Sequence, residues 1–182
     1  MDTDKKQNII IGVLVLLIIL TAAYLTFSTI RRNNISASGE PLIRYKKLDT
    51  SKEYDENTPE YLAIKSGEIQ FDLLTGAISA QDAYDILYLM AGEHSRTEME
   101  KQKSDFYDQA RATINFLDSL GEEIVKITHS QIIPHPERED RVSIMKIVEF
   151  TTLKNYYRQD FILENGQWRI YGDNGVNEFR IR

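Results

Sequence analysis

Side chains able to do acid–base or metal chemistry are few in this chain and loosely spaced. There are three histidines, His94, His129 and His135, and no cysteine. Thiol nucleophiles and disulfide frameworks are therefore excluded. His129 and His135 stand six positions apart, across what reads as a strand and the loop after it. That spacing lacks the HExxH or His/Cys pattern that preorganises a tetrahedral metal site, so no metal is expected. A serine triad needs a nucleophile elbow such as GxSxG, which is absent. The nine glycines form neither GxGxxG nor GxxxxGK followed by Ser or Thr, so no cofactor phosphate finds a backbone cradle.

One acid–base option survives. His129 and Asp160 both fall on strands, where burial in a dry pocket on a concave sheet would retune their proton affinities. Asp160 shares parity with Arg158 and Ile162 and alternates with Phe161, which turns it toward a solvated or mixed surface. His94 follows Glu93 just before a helix cap and reads as exposed. The expectation is a chain without catalytic residues. Tyrosine is the more suggestive type: of ten, Tyr156, Tyr157 and Tyr171 lie on or beside the last hairpin. Their rings suit an assembly surface, and equally suit ordinary strand composition.

The elements that must position these residues begin at the N-terminus with an apolar run. Residues 8–30 read NIIIGVLVLLIILTAAYLTFSTI without a charge. At 1.5 Å per residue this crosses roughly 30 Å of hydrocarbon. Lys5 and Lys6 before it and Thr21-Ala22-Ala23 within it resemble a cleavable signal. The apolar residues Tyr24, Leu25, Phe27 and Ile30 continue past that point to Arg31 and Arg32, which favours a retained anchor. Residues 1–7 form a short tail and 8–30 a transmembrane helix in contact with the bilayer. Residues 31–57, mixed polar and charged with Gly and Pro, read as a tether, and 58–182 as one soluble domain.

Lys5, Lys6, Arg31 and Arg32 against Asp2 and Asp4 take two positive charges out of the net −6, leaving the rest of the chain near −8. A domain of that sign repels phosphate backbones, so direct nucleic acid binding is not expected. Lys5 and Lys6 before the span face Arg31, Arg32, Arg44, Lys46 and Lys47 after it, so the positive-inside rule read literally favours the domain inside. Because Arg44 and beyond are far from the span and long domains translocate largely regardless of charge, the rule leaves the orientation open.

Within the domain, Thr58-Pro59-Glu60 opens a helix to about Thr75, with Gly67 a point of weakness. Ser79 caps a second helix to Gly92. Ser95-Arg96-Thr97-Glu98 matches a capping box and opens a long third helix, whose apolar face runs through Met99, Phe106, Ala110, Ile114, Leu117 and Leu120 to Gly121. The period then changes to two. Val125 to Ile133, Val142 to Thr152 and Tyr156 to Glu164 read as strands, and Asn165-Gly166 as a two-residue hairpin turn. That turn pairs Leu163 with Trp168 and Phe161 with Ile170, placing all four on one core face. Three helices followed by about four strands give an α+β fold, a curved antiparallel sheet packed on the helices.

The stretch VEFTTLKNYYRQDFILENGQWRIYGD, Val148 to Asp173, resembles the closing hairpin of the nuclear-transport-factor-2-like superfamily, whose three helices and curved sheet make a cone. Joined to a short tail and one span, the architecture resembles the bitopic channel-assembly subunit of type IV secretion systems and its Gram-positive conjugation relatives of the TraH and TraM kind. The resemblance implies a non-enzymatic scaffold on the extracytoplasmic face of the cell membrane, contacting other transfer-channel proteins and itself. The rivals are an anchored ligand-binding or enzymatic cone and a tethered sensor.

Overall fold

A computed structural model of the protein describes residues 43–181. The tail, the expected span at 8–30 and the first part of the expected tether lie outside the described residues. Among the described residues no helix is long and apolar enough to cross a membrane.

Four helices are described. In α1 (Pro59–Leu74) Thr58 caps as its sequence predicts, its hydroxyl accepting from Tyr61 N at 3.3 Å, with Pro59 at the first position. Ser79 does the same for α2 (Ala80–Met90), accepting from Asp82 N at 3.1 Å. The capping box at Ser95 does not form. Helix α3 (Glu93–Lys101) starts ahead of it, and the Glu164 carboxylate supplies the cap by accepting from Glu93 N at 3.0 Å. Ser95 instead donates to the Tyr171 carbonyl at 2.8 Å. The expected long third helix is broken at Gln102 (φ −111°, ψ 19°) into α3 and α4 (Lys103–Leu120), and Gly121 in the left-handed region ends α4.

The strands are β1 (Arg44–Tyr45), β2 (Ile124–His129), β3 (Ile133–Pro134), β4 (Arg141–Phe150), β5 (Lys154–Glu164), β6 (Gln167–Gly175) and β7 (Arg180–Ile181). The main sheet runs β2-β4-β5-β6, with β3 also on β4, and all its pairings are antiparallel. The hairpin has the predicted register: Glu164 faces Gln167, Leu163 faces Trp168 and Phe161 faces Ile170. Asn165 and Gly166 both adopt positive φ, 52° and 77°, as the twist of a two-residue turn requires. A bulge at Asp160/Phe161 leaves Tyr171 as the extra residue on β6.

The residues expected to be a tether depart from that expectation from residue 43 onward. Strand β1 pairs in parallel with β7, Leu48 N donates to His129 O at 2.9 Å, and Gln131 N donates to Lys46 O at 2.7 Å. Leu48 is buried. These bonds also explain why the strand expected over 125–133 divides into β2 and β3, since residues 130–131 turn to meet 46–47.

Alternation sorts the sheet into two faces. Ile144 and Phe161 on the inner face pack with Leu62, Ala63 and Ile69 of α1 and Ala83 and Met90 of α2. Val148 and Phe150 extend that layer to Leu117 of α4. On the outer face Met145 and Ile147 pack with Phe179, flanked by Tyr45, Tyr156 and Ile181 of the small β1/β7 sheet. Strand β4 is thus covered on both sides, as its apolar residues of both parities predict.

Candidate functional site

The inner face carries a seam of polar groups where hydrocarbon would be the ordinary choice. On α1 the apolar stripe of Leu62 and Ala63 gives way one turn later to Ser66, Gly67 and Gln70. Each meets a polar partner on the sheet. Gln159 Nε2 donates to Ser66 Oγ at 3.0 Å, and both residues are buried. Lys146 Nζ donates to Gln70 Oε1 at 3.0 Å, forms an ion pair with Asp173, and sits 5.0 Å from the centre of the Tyr157 ring. His129 lies against Gly67, where an added Cβ would stand 2.7 Å from its Cε1. Helix α1 runs unbroken through Gly67, whose missing Cβ makes room for the imidazole.

The electrostatics of the seam follow from its burial. Desolvation, then the nearby Lys146 charge, pushes the His129 pKa down to about 3. Burial, then the Asp173 carboxylate, raises the Tyr157 phenol. A histidine held neutral to that degree is a weak base, and the Lys146 ammonium is engaged by Asp173 and Gln70. A cleft of about 380 Å³ opens beside His129, lined by Thr50, Ile64, Phe71 and Asp72 among others. The seam's chemistry is that of a register device: polar pairs that match only when α1 sits at one height on the sheet.

The outer face carries a second cleft, of about 420 Å³, lined by His94, His135, Arg141, Arg158, Asp160 and Tyr171 among others. Asp160 accepts from Ser143 Oγ at 2.6 Å and pairs with Arg158 at 3.1 Å, on the mixed surface its parity predicts. Tyr171, re-aimed by the bulge, lies between two partners: the Arg141 guanidinium 4.4 Å over its ring and the His94 ring at 5.7 Å.

The sequence-predicted residues are accordingly scattered. Tyr156, Tyr157 and Tyr171 do not form one assembly surface. Tyr156 packs edge-on to Phe179 at 5.3 Å on the outer face, Tyr157 faces Lys146 on the inner face, and Tyr171 lines the outer cleft. His129 and Asp160 lie on opposite faces and share no site. Of the four residues expected on the core face of the hairpin, Phe161 is fully buried and Trp168 and Ile170 pack against the core, whereas Leu163, 39% exposed near the turn, does not reach it. Lys146 is the residue that sequence reasoning passed over. Its signal is a lone cation at inner-face parity within the apolar run Ile144 to Val148. Among the described residues no cluster of His, Asp and Glu suited to a metal ion occurs.

No protein-family description matches the chain, and no curated protein does. Among solved structures, the chain is similar to the crystal structure of the intermembrane space region of the chloroplast protein ARC6. The identity is 10% and the TM-score 0.38, over 70% of this chain and 100% of that one, a likeness too slight to inform fold or function.

Proposed function

We propose that this protein is a single-pass membrane-anchored, non-enzymatic scaffold subunit of a type IV secretion or conjugative DNA-transfer channel, acting through contacts with other channel proteins and with itself. Its domain is placed on the extracytoplasmic face, and its helices and antiparallel sheet are taken as a cone of the nuclear-transport-factor-2-like kind.

The observation that carries the contact role is the exposure of α4. Over its 18 residues only Leu117 is buried, while Phe116 and Leu120, one turn apart, are 59% and 51% exposed. A helix that leaves aromatic and aliphatic side chains in water beside a buried leucine has apolar surface to give to a partner. Anchoring in two dimensions raises effective concentration, so weak contacts suffice for assembly.

A clean deletion tests the reading: DNA transfer should be abolished while growth is unchanged, and unaltered transfer would rule it out. Phe116→Glu with Leu120→Glu should reproduce the deletion phenotype in a chain that still folds and reaches the membrane. Protease accessibility of the domain in protoplasts tests its placement. In ultracentrifugation the isolated domain should be monomeric or weakly associating. A boundary at Ile43 is appropriate for it, because starting near residue 55 would remove β1 and the buried Leu48.

A further inference from the structure

We infer that the outer cleft between α3 and the β4–β6 face is a binding site for a small polar anion, a carboxylate or phosphate group held by Arg141 with a donor group of the same ligand meeting Asp160.

Three observations converge on it. Arg141 forms no ion pair with any described carboxylate, and its Nε is shut away from solvent without a hydrogen-bond partner among the described residues. The buried Nε is out of a ligand's reach, but the terminal nitrogens of a guanidinium without an ion-pair partner suit an oxyanion. The guanidinium is also held in place, 4.4 Å over the Tyr171 ring, whose own position is fixed by the bulge and by the His94 ring at 5.7 Å. A fixed donor loses little side-chain entropy on binding.

Charge is the third. In a chain with 28 acidic and 22 basic side chains, this cleft brings Arg141 and Arg158 together with one carboxylate, Asp160, which pairs with Arg158 and leaves Arg141 in excess. The overall field repels anions, so only a local cluster of this kind attracts one. Asp160 sets the other half of the specificity. Bonded to Ser143 and Arg158, it presents an acceptor within the same cleft, which favours a ligand carrying a hydroxyl or ammonium group beside its anionic head. About 420 Å³ is the size of a small-molecule pocket. The proposal is independent of the channel reading, since nothing in it depends on where the protein assembles.

The test is calorimetric titration of the full chain in detergent micelles at low ionic strength, with inorganic phosphate and with succinate as probes. The expected result is saturable one-site binding of at least one probe; which of them binds identifies the head group. Arg141→Gln should weaken binding at least tenfold. Asp160→Asn should tighten inorganic phosphate severalfold by removing a repelling charge, an opposite sign that general misfolding would not produce. Arg138→Gln, an exposed arginine paired with Asp140 outside the cleft, should leave binding unchanged. The inference is overturned if neither probe saturates, if Arg138→Gln costs as much as Arg141→Gln, or if Asp160→Asn weakens phosphate.

Discussion

Gly67→Ala should destabilise this domain, against the ordinary rule for helices. In an unencumbered helix interior the change stabilises by about 1 kcal/mol, because glycine has more backbone freedom to lose. Here the new methyl would stand 2.7 Å from His129 Cε1, 3.2 Å from Nε2 and 3.5 Å from Ile127 Cγ2. Good carbon–carbon contacts lie at roughly 3.5–4 Å, so the ring would have to retreat by about 1 Å. Its backbone cannot follow, since the strand is pinned to β4 by the ladder and to Leu48 by a backbone bond, so the ring of His129, 6% exposed, can only swing toward the cleft beside it. Overpacking of this kind costs about 1–3 kcal/mol, which outweighs the propensity gain and leaves a net loss of about 1 kcal/mol.

The cycle with His129→Ala isolates the cause. In that background the space is vacant, so Gly67→Ala should recover its usual gain, and the coupling between the two positions should be about 2 kcal/mol. Urea unfolding of the fragment from Ile43 onward, followed by the fluorescence of Trp168, the single tryptophan, reads all four stabilities. Stabilisation by Gly67→Ala in the presence of His129, or an equal effect in both backgrounds, would refute the argument that this glycine exists to seat the imidazole.

Three further outcomes are expected. With its folded-state pKa near 3 and an unfolded value near 6.5, His129 is neutral in the fold while the unfolded chain takes up a proton. Its contribution is therefore complete above about pH 6.5 and is lost as pH falls toward 3, with a slope of up to about 1.4 kcal/mol per unit; His129→Gln should flatten it, and parallel stability profiles from pH 7 to 4 would contradict this. Asp173→Ala should cost more than Lys146→Met, about 2–4 kcal/mol against about 1, because the first strands a buried ammonium whereas the second leaves a carboxylate that already reaches water; denaturation midpoints decide the order. Phe161→Ala should cost about 3–5 kcal/mol and Leu163→Ala under about 1, although the two share a face of one hairpin; similar losses would mean that Leu163 is buried after all.

Local signals account for much of the architecture because their physics is local. The caps at Thr58 and Ser79, the stop at Gly121 and the Asn165-Gly166 turn each need only a few neighbouring residues, and each forms where the sequence places it. The hairpin register follows from that turn and from alternation, which agree. The Ser95 box does not form because the helix starts two residues earlier, where Glu164, 71 residues from Glu93 in sequence, accepts from the Glu93 amide. Residues 43–48 carry no sustained apolar period; Tyr45 and Leu48 are apolar enough to dock, but where they dock rests on backbone bonds to 129–131 and on pairing with β7, which composition does not encode.

What the sequence by itself determined is therefore the α+β class with helices before the main sheet, several helix ends and the closing hairpin, and the sign of the domain's charge. Which polar residues meet was decided by tertiary structure. Ser66, Gly67 and Gln70 acquire meaning only opposite Gln159, His129 and Lys146, and Tyr171 only where a bulge sets it between Arg141 and His94. Pairing across a helix–sheet interface depends on the height and rotation at which two elements dock. Those are set by the summed packing of the core, which no single stretch of the chain contains.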